Sequence, residues 1–141
     1  MATQAKTIQL GNKADGSPRM LLIQYSSNAL RRLEQTTGKS TAHVGLLLQS
    51  GRGGFGLLQE VLWAGLEGAR MKHMTSPQPY TVEEVGDWID DFPGGAPACW
   101  DESSPVANAV LEAWQDAFPT SKREDLPKPK EGANPTDGAQ E

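Results

Sequence analysis

The sequence predicts a mainly α-helical fold: about five short amphipathic helices behind an N-terminal β-hairpin, with a disordered polar tail. Three observations carry this prediction. Apolar residues recur at three- and four-residue steps in successive segments between residues 26 and 118. Ser or Thr stands before most of these segments and Gly or Pro after them, the punctuation of helix starts and stops. Beyond residue 118 large apolar side chains almost vanish, and prolines fall at 119, 127, 129 and 135. A segment of that composition cannot bury enough surface to offset the entropy of ordering. The 141 residues therefore divide into one domain over 1–118 and a tail over 119–141.

The hairpin occupies residues 7–25. Thr7-Ile8-Gln9-Leu10 alternates as a strand does, and Arg19-Met20-Leu21-Leu22-Ile23-Gln24-Tyr25 is a second short run. Between them Gly11 to Pro18 is almost entirely turn chemistry. A lone hairpin is marginal in water, so it is expected to lie against the helices that follow.

Ser26 or Ser27 caps a first helix with Ala29, Leu30 and Leu33 inward, Arg31, Arg32 and Glu34 toward water, and Gly38 as its stop. Ser40 or Thr41 opens a second with Val44, Leu46, Leu47 and Leu48, ending before Gly51. The third carries Phe55, Leu58, Val61, Leu62, Gly65, Leu66 and Ala69 on one face, with Trp63 beside them. Gly65 and Gly68 each cost about 1 kcal/mol of helix propensity, which implies that another backbone approaches there. Thr81 and Glu84 have capping-box spacing before a fourth helix that buries Val82, Val85, Trp88, Ile89 and Phe92. Residues 93–104 read as a loop with Cys99 and Trp100. Ser104-Pro105 starts the fifth helix, with Val106, Val110, Ala113, Trp114, Ala117 and Phe118 inward.

Charge is divided unevenly along the chain. Residues 1–80 carry nine Lys/Arg against four Asp/Glu, while residues 81–141 carry four against fourteen. Residues 81–118 hold nine acids and no base. Such asymmetry is a statement about association. Either the two halves pack on each other with complementary fields, or the acidic 81–118 surface meets a basic partner, such as the basic 1–80 surface of another copy. The positive residues form no stripe with interleaved aromatics, so nucleic acid is not an expected partner. No apolar run approaches the ~20 residues of a membrane span, and none is expected.

Several features invite a chemical reading. Gly51-Arg52-Gly53-Gly54-Phe55-Gly56 satisfies a GxGxxG pattern, but a helix rather than a strand precedes it, and it reads as a helix–helix connection. Glu83, Asp87 and Asp91 form a carboxylate ladder, yet Ile89 stands where a calcium loop needs oxygen, so a solvated face is expected and no metal. Asp90 and Asp91 sit at a helix C-terminus, where the dipole disfavours anions, and a basic group is expected nearby. Cys99, His43 and His73 lack the local signature of a thiolate–imidazole pair. No catalytic residue and no cofactor is expected. The candidate partner-binding residues are Trp100, as a surface anchor in a loop, the adaptable pair Met71 and Met74, and the acids Asp87, Asp90 and Asp91.

The order of these segments resembles a family. Residues 25–40, from Tyr25 through Gly38 to Ser40, are similar to the opening helix of the tail assembly chaperones of long-tailed bacteriophages and gene transfer agents. So are Val61-Leu-Trp-Ala-Gly-Leu66, Tyr80-Thr-Val-Glu-Glu-Val-Gly-Asp-Trp-Ile-Asp90 and Asn108-Ala-Val-Leu-Glu-Ala-Trp-Gln-Asp-Ala-Phe118. The resemblance spans roughly residues 20–118; the longer 93–104 loop and the polar tail depart from the pattern. It implies a small, mostly helical, non-catalytic protein of the host bacterial cytoplasm, absent from the mature virion. Its partners would be the tape measure protein and the major tail tube protein. The alternative is a small virion structural protein, such as a tail or head–tail joining component.

Overall fold

The computed structural model describes residues 5–118, together with a two-residue antiparallel backbone pairing of Pro135–Thr136 with Gly138–Ala139. The expected disordered tail, 119–141, otherwise lies outside the described residues. The domain is mainly helical with an N-terminal hairpin. Strand β1 (Lys6–Asn12) pairs antiparallel with β2 (Pro18–Ile23), and helices α1 (Ser27–Thr37), α2 (Thr41–Ser50), α3 (Gly54–His73), α4 (Val82–Asp90), α5 (Gly95–Cys99) and α6 (Pro105–Ala117) follow.

The hairpin register runs Lys6 opposite Ile23 to Gln9 opposite Met20, then slips before Asn12 opposite Pro18. Gly11 lies at the slip with φ 63°, and a Cβ there would stand 2.6 Å from the Asp91 carbonyl oxygen. The left-handed backbone and the absent side chain together let the end of α4 close on the hairpin. Ile8, Leu10 and Ile23 are buried. Strand β2 packs on α3 while β1 packs on α6 and α4, so the helices shelter both strands.

The helix ends are made by the expected residues. Hydroxyls of Ser26, Ser40, Thr81 and Ser104 accept backbone N–H bonds from Ala29, His43, Glu84 and Val106 at 3.0–3.2 Å. Gly38 and Gly51 take the left-handed conformation that ends α1 and α2. At Thr81 only half of the capping box forms, because Glu84 stays exposed and returns no bond among the described residues.

Helix α3 departs from the one-sided stripe that its spacing predicts. Val61 to Ala69 are buried around the whole circumference, because α1, β2 and α4 each take a flank. Leu57 is buried where Phe55 was expected, and Phe55 is 52% exposed. The close approach signalled by Gly65 and Gly68 is present: Gln24 N–H donates to the Gly65 carbonyl at 2.9 Å. A Cβ on Gly68 would stand 2.2 Å from the Gln24 carbonyl oxygen. Tyr25 fills the space over Gly65 and donates its hydroxyl to the Val61 carbonyl at 2.7 Å.

One face of α3 is polar and serves the connection to α4. Gln59, Trp63 and Glu67, spaced four residues apart, bind the main chain of the incoming segment. Gln59 Nε2 donates to the Val82 carbonyl at 2.9 Å, Trp63 Nε1 to the Tyr80 carbonyl at 2.8 Å, and Tyr80 N–H to Glu67 Oε2 at 2.8 Å. Glu67 is fully buried and also takes Arg70 Nε at 2.6 Å and Arg32 Nη1 at 3.2 Å. Arg32 therefore does not simply face water as expected. Burial opposes the charge on Glu67, but the Arg70 and Tyr80 hydrogen bonds and the two guanidinium groups outweigh it and hold the carboxyl below its ordinary range.

The 93–104 stretch expected as a loop contains the short helix α5. Gly94 and Gly95, both left-handed, turn the chain into it, and Cys99 is buried against the core.

Candidate interaction surfaces

Two concave surfaces stand out. The first is a groove of about 430 Å³ between α2 and α6. Trp114, Gly45 and Leu48 line it, and Phe118 lines it near the end of α6. Leu46 and Leu111 stand on the two helices, 64% and 44% exposed. The Trp114 wall is held in place, with Tyr25 edge-on at 5.2 Å and Phe118 tilted against it at 5.1 Å. The indole lies against the α2 backbone at Gly45, where a Cβ would stand in ordinary contact, 3.6 Å from its Nε1. None of the candidate partner-binding residues named from the sequence lines this groove; its Trp114 and Phe118 were expected in the core stripe of the last helix. Its signal was the run Leu46-Leu47-Leu48, more apolar surface than one face of a ten-residue helix can bury.

The second surface is an acidic cleft of about 360 Å³ where the start of α3 meets α4 and α5. It brings together three sequence candidates, Trp100, Asp87 and Asp90, with Glu83 and the exposed ring of Phe55. Trp100 is half-buried, and its indole N–H is enclosed without a hydrogen-bond partner among the described residues. Glu83, Asp87 and Asp90 are exposed and form no ion pair among the described residues.

Asp91 has a different setting. It caps the C-terminus of α4 and meets Arg19 Nη1 at 3.1 Å. Arg19 also donates to the Leu10 carbonyl at 3.0 Å and lies 5.3 Å from the centre of the Trp88 ring. The base expected near this helix end is thus supplied by the hairpin. Lys6 likewise reaches Asp116 at 3.2 Å. Part of the charge asymmetry is satisfied within one chain through these two pairs.

Met71 and Met74 lie at the far end of α3. Met71 is half-buried beside α1, whereas Met74 follows the helix with φ 54° and is 79% exposed. His73 Nε2 lies 2.7 Å from Gln24 Oε1, and burial pushes the Cys99 thiol up to about 12. Among the described residues no group of three or more His, Cys, Asp or Glu is placed to hold a metal ion. No helix among them is long and apolar enough to cross a membrane.

Compared with protein-family models, curated proteins and solved structures, the chain matches none.

Proposed function

We propose that this chain is a non-catalytic tail assembly chaperone of a long-tailed bacteriophage or gene transfer agent. In this reading it acts in the host cytoplasm, binds the tape measure protein and helps recruit tail tube subunits around it. The resemblance of residues 20–118 to that family is what suggests the reading. The observation that supports the reading best is the α2–α6 groove. It is mostly apolar and bordered by the exposed Leu46 and Leu111, a form that receives the apolar face of an amphipathic helix. A tape measure protein is a long helical client, and holding it until polymerisation asks for a shallow site with fast release rather than an enclosed one. The chemistry of the chain points the same way: its one cysteine is buried with a raised pKa and His73 is engaged by Gln24.

The test is co-purification with the tape measure protein encoded in the same genome. Wild-type protein is expected to retain the client, and Leu46→Asp with Leu111→Asp to weaken retention at least tenfold while the fold is kept. A client that does not bind, or that binds the double variant equally well, overturns the proposal. Mass spectrometry of purified particles gives a second check. The chaperone reading expects the chain to be absent; stoichiometric presence would favour a small tail or head–tail joining component.

A further inference from the structure

We infer that copies of this chain associate head to tail, the C-terminal corner of α3 in one copy docking into the acidic cleft at the N-terminal end of α3 in the next. The two surfaces lie at opposite ends of one 20-residue helix. With a rise of 1.5 Å per residue, Phe55 and Met74 are about 28 Å apart along it.

The surfaces match in charge. At the receiving end the cleft offers Phe55 and Trp100 as apolar walls, with Glu83, Asp87 and Asp90 on α4 unpaired among the described residues. At the inserting end Arg31 of α1 and Lys72 of α3 flank Met71 around two adjoining hollows, and neither cation has an ion pair among the described residues. Met74 projects beyond them. It is the most exposed large apolar residue described and the one non-glycine there held in the left-handed backbone region. That backbone is the C-cap that ends α3, and it leaves at the tip of the helix an uncovered, adaptable methionine suited to insertion into an apolar-walled cleft. A cleft of about 360 Å³ has room for one such side chain.

The contact joins two different patches, so it is heterologous: each docked pair leaves one cleft and one corner open, and the assembly grows. The pairs Arg19–Asp91 and Lys6–Asp116 are spent inside each chain, whereas Glu83, Asp87 and Asp90 of the cleft are in no ion pair among the described residues and converge beside Phe55 and Trp100. The inference uses neither the α2–α6 groove nor the identity of the client. It therefore stands or falls separately from the function proposed above.

Sedimentation velocity on the full chain tests it. Wild type in 20 mM salt is expected to show a sedimentation coefficient that climbs with concentration, and 0.5 M salt to weaken association at least tenfold. Asp87→Lys with Asp90→Lys closes the cleft and leaves the corner. Lys72→Glu with Met74→Asp closes the corner and leaves the cleft. Each variant alone is expected to be monomeric, and an equimolar mixture to form heterodimers that grow no further. All four positions are exposed, and circular dichroism verifies that the fold is kept. Wild type that stays monomeric at low salt and sub-millimolar concentration refutes the docking without reference to any variant. Variants that self-associate singly, or a mixture that forms no heterodimer, refute it as well. Monomeric wild type that instead binds a Lys/Leu amphipathic peptide at the cleft assigns that surface to a foreign basic segment and overturns self-docking.

Discussion

Two glycines of the same helix should respond to alanine with opposite signs. Gly68 sits under the chain that leaves the hairpin: a Cβ would stand 2.2 Å from the Gln24 carbonyl oxygen and 2.6 Å from the Ala29 Cβ. The carbonyl cannot retreat freely, because the Gln24 N–H is tied to the Gly65 carbonyl at 2.9 Å. Alanine gains about 1 kcal/mol of helix propensity there but must push α3 from β2, and overpacking of this kind costs typically 1–3 kcal/mol or more. With both the obstructing atoms on main chain or at a Cβ, the upper part of that range applies, and the net loss is about 2 kcal/mol. Gly56, in the first turn of α3, has nothing within 4 Å of its Cβ position. Gly56→Ala should therefore stabilise by about 0.5 kcal/mol, the low end for a helix interior because the site is near the helix end. Urea unfolding followed by circular dichroism measures both. At an approximate 4 °C per kcal/mol for a domain of this size, the two variants should also melt ~10 °C apart. Equal midpoints, or a more stable Gly68→Ala, would refute the close approach of β2 to α3.

Glu67→Gln should destabilise by about 3–5 kcal/mol, because it leaves Arg70 and Arg32 facing an uncharged buried amide. Since the folded carboxyl titrates below its ordinary value of 4.5, its contribution is present above that value and lost as pH falls through the lower folded one. Urea midpoints measured from pH 6 downward should therefore fall more steeply for wild type than for the Gln variant. Arg19→Ala removes the Asp91 pair, the Leu10 carbonyl bond and the Trp88 stacking together, and a loss of about 1–2 kcal/mol in the same assay is expected. Cys99 is buried with its thiol pushed up to about 12, so a disulfide-exchange reagent at pH 8 should label it only after denaturant is added. Prompt labelling of the native protein would place the thiol at the surface instead.

The parts of this fold that were legible in the sequence are those decided within a few residues. The caps at Ser26, Ser40, Thr81 and Ser104 and the stops at Gly38 and Gly51 each depend on one side chain and the next turn of backbone. Helix α5 was illegible because Gly94-Gly95-Ala96-Pro97 carries the composition of a loop, and five residues make a helix only where packing holds them. The girth of α3 followed from three neighbours that no local spacing reveals. Glu67 was a visible oddity, one carboxylate between Leu66 and Gly68. Its partners, however, come from positions 32, 70 and 80, two of them distant along the chain. Of the candidate binding residues, Trp100, Asp87 and Asp90 share a cleft because α4 and α5 are sequence neighbours. The α2–α6 groove joins segments some sixty residues apart: the Leu46-Leu47-Leu48 run signals excess apolar surface on α2, but nothing in it names α6 as the facing wall.

The encirclement of α3 between Val61 and Ala69 has a consequence for how the molecule opens. A helix with a free flank can unwind a turn at a time, but this stretch is released only when its surroundings have let go. Its amides should accordingly exchange hydrogen last, at the rate set by complete unfolding. The exposed first turn around Phe55 and the Met74 end should trade theirs far sooner. The helix would then be a fixed axle whose two tips remain supple, which suits a part that must grip at its ends without loosening in the middle.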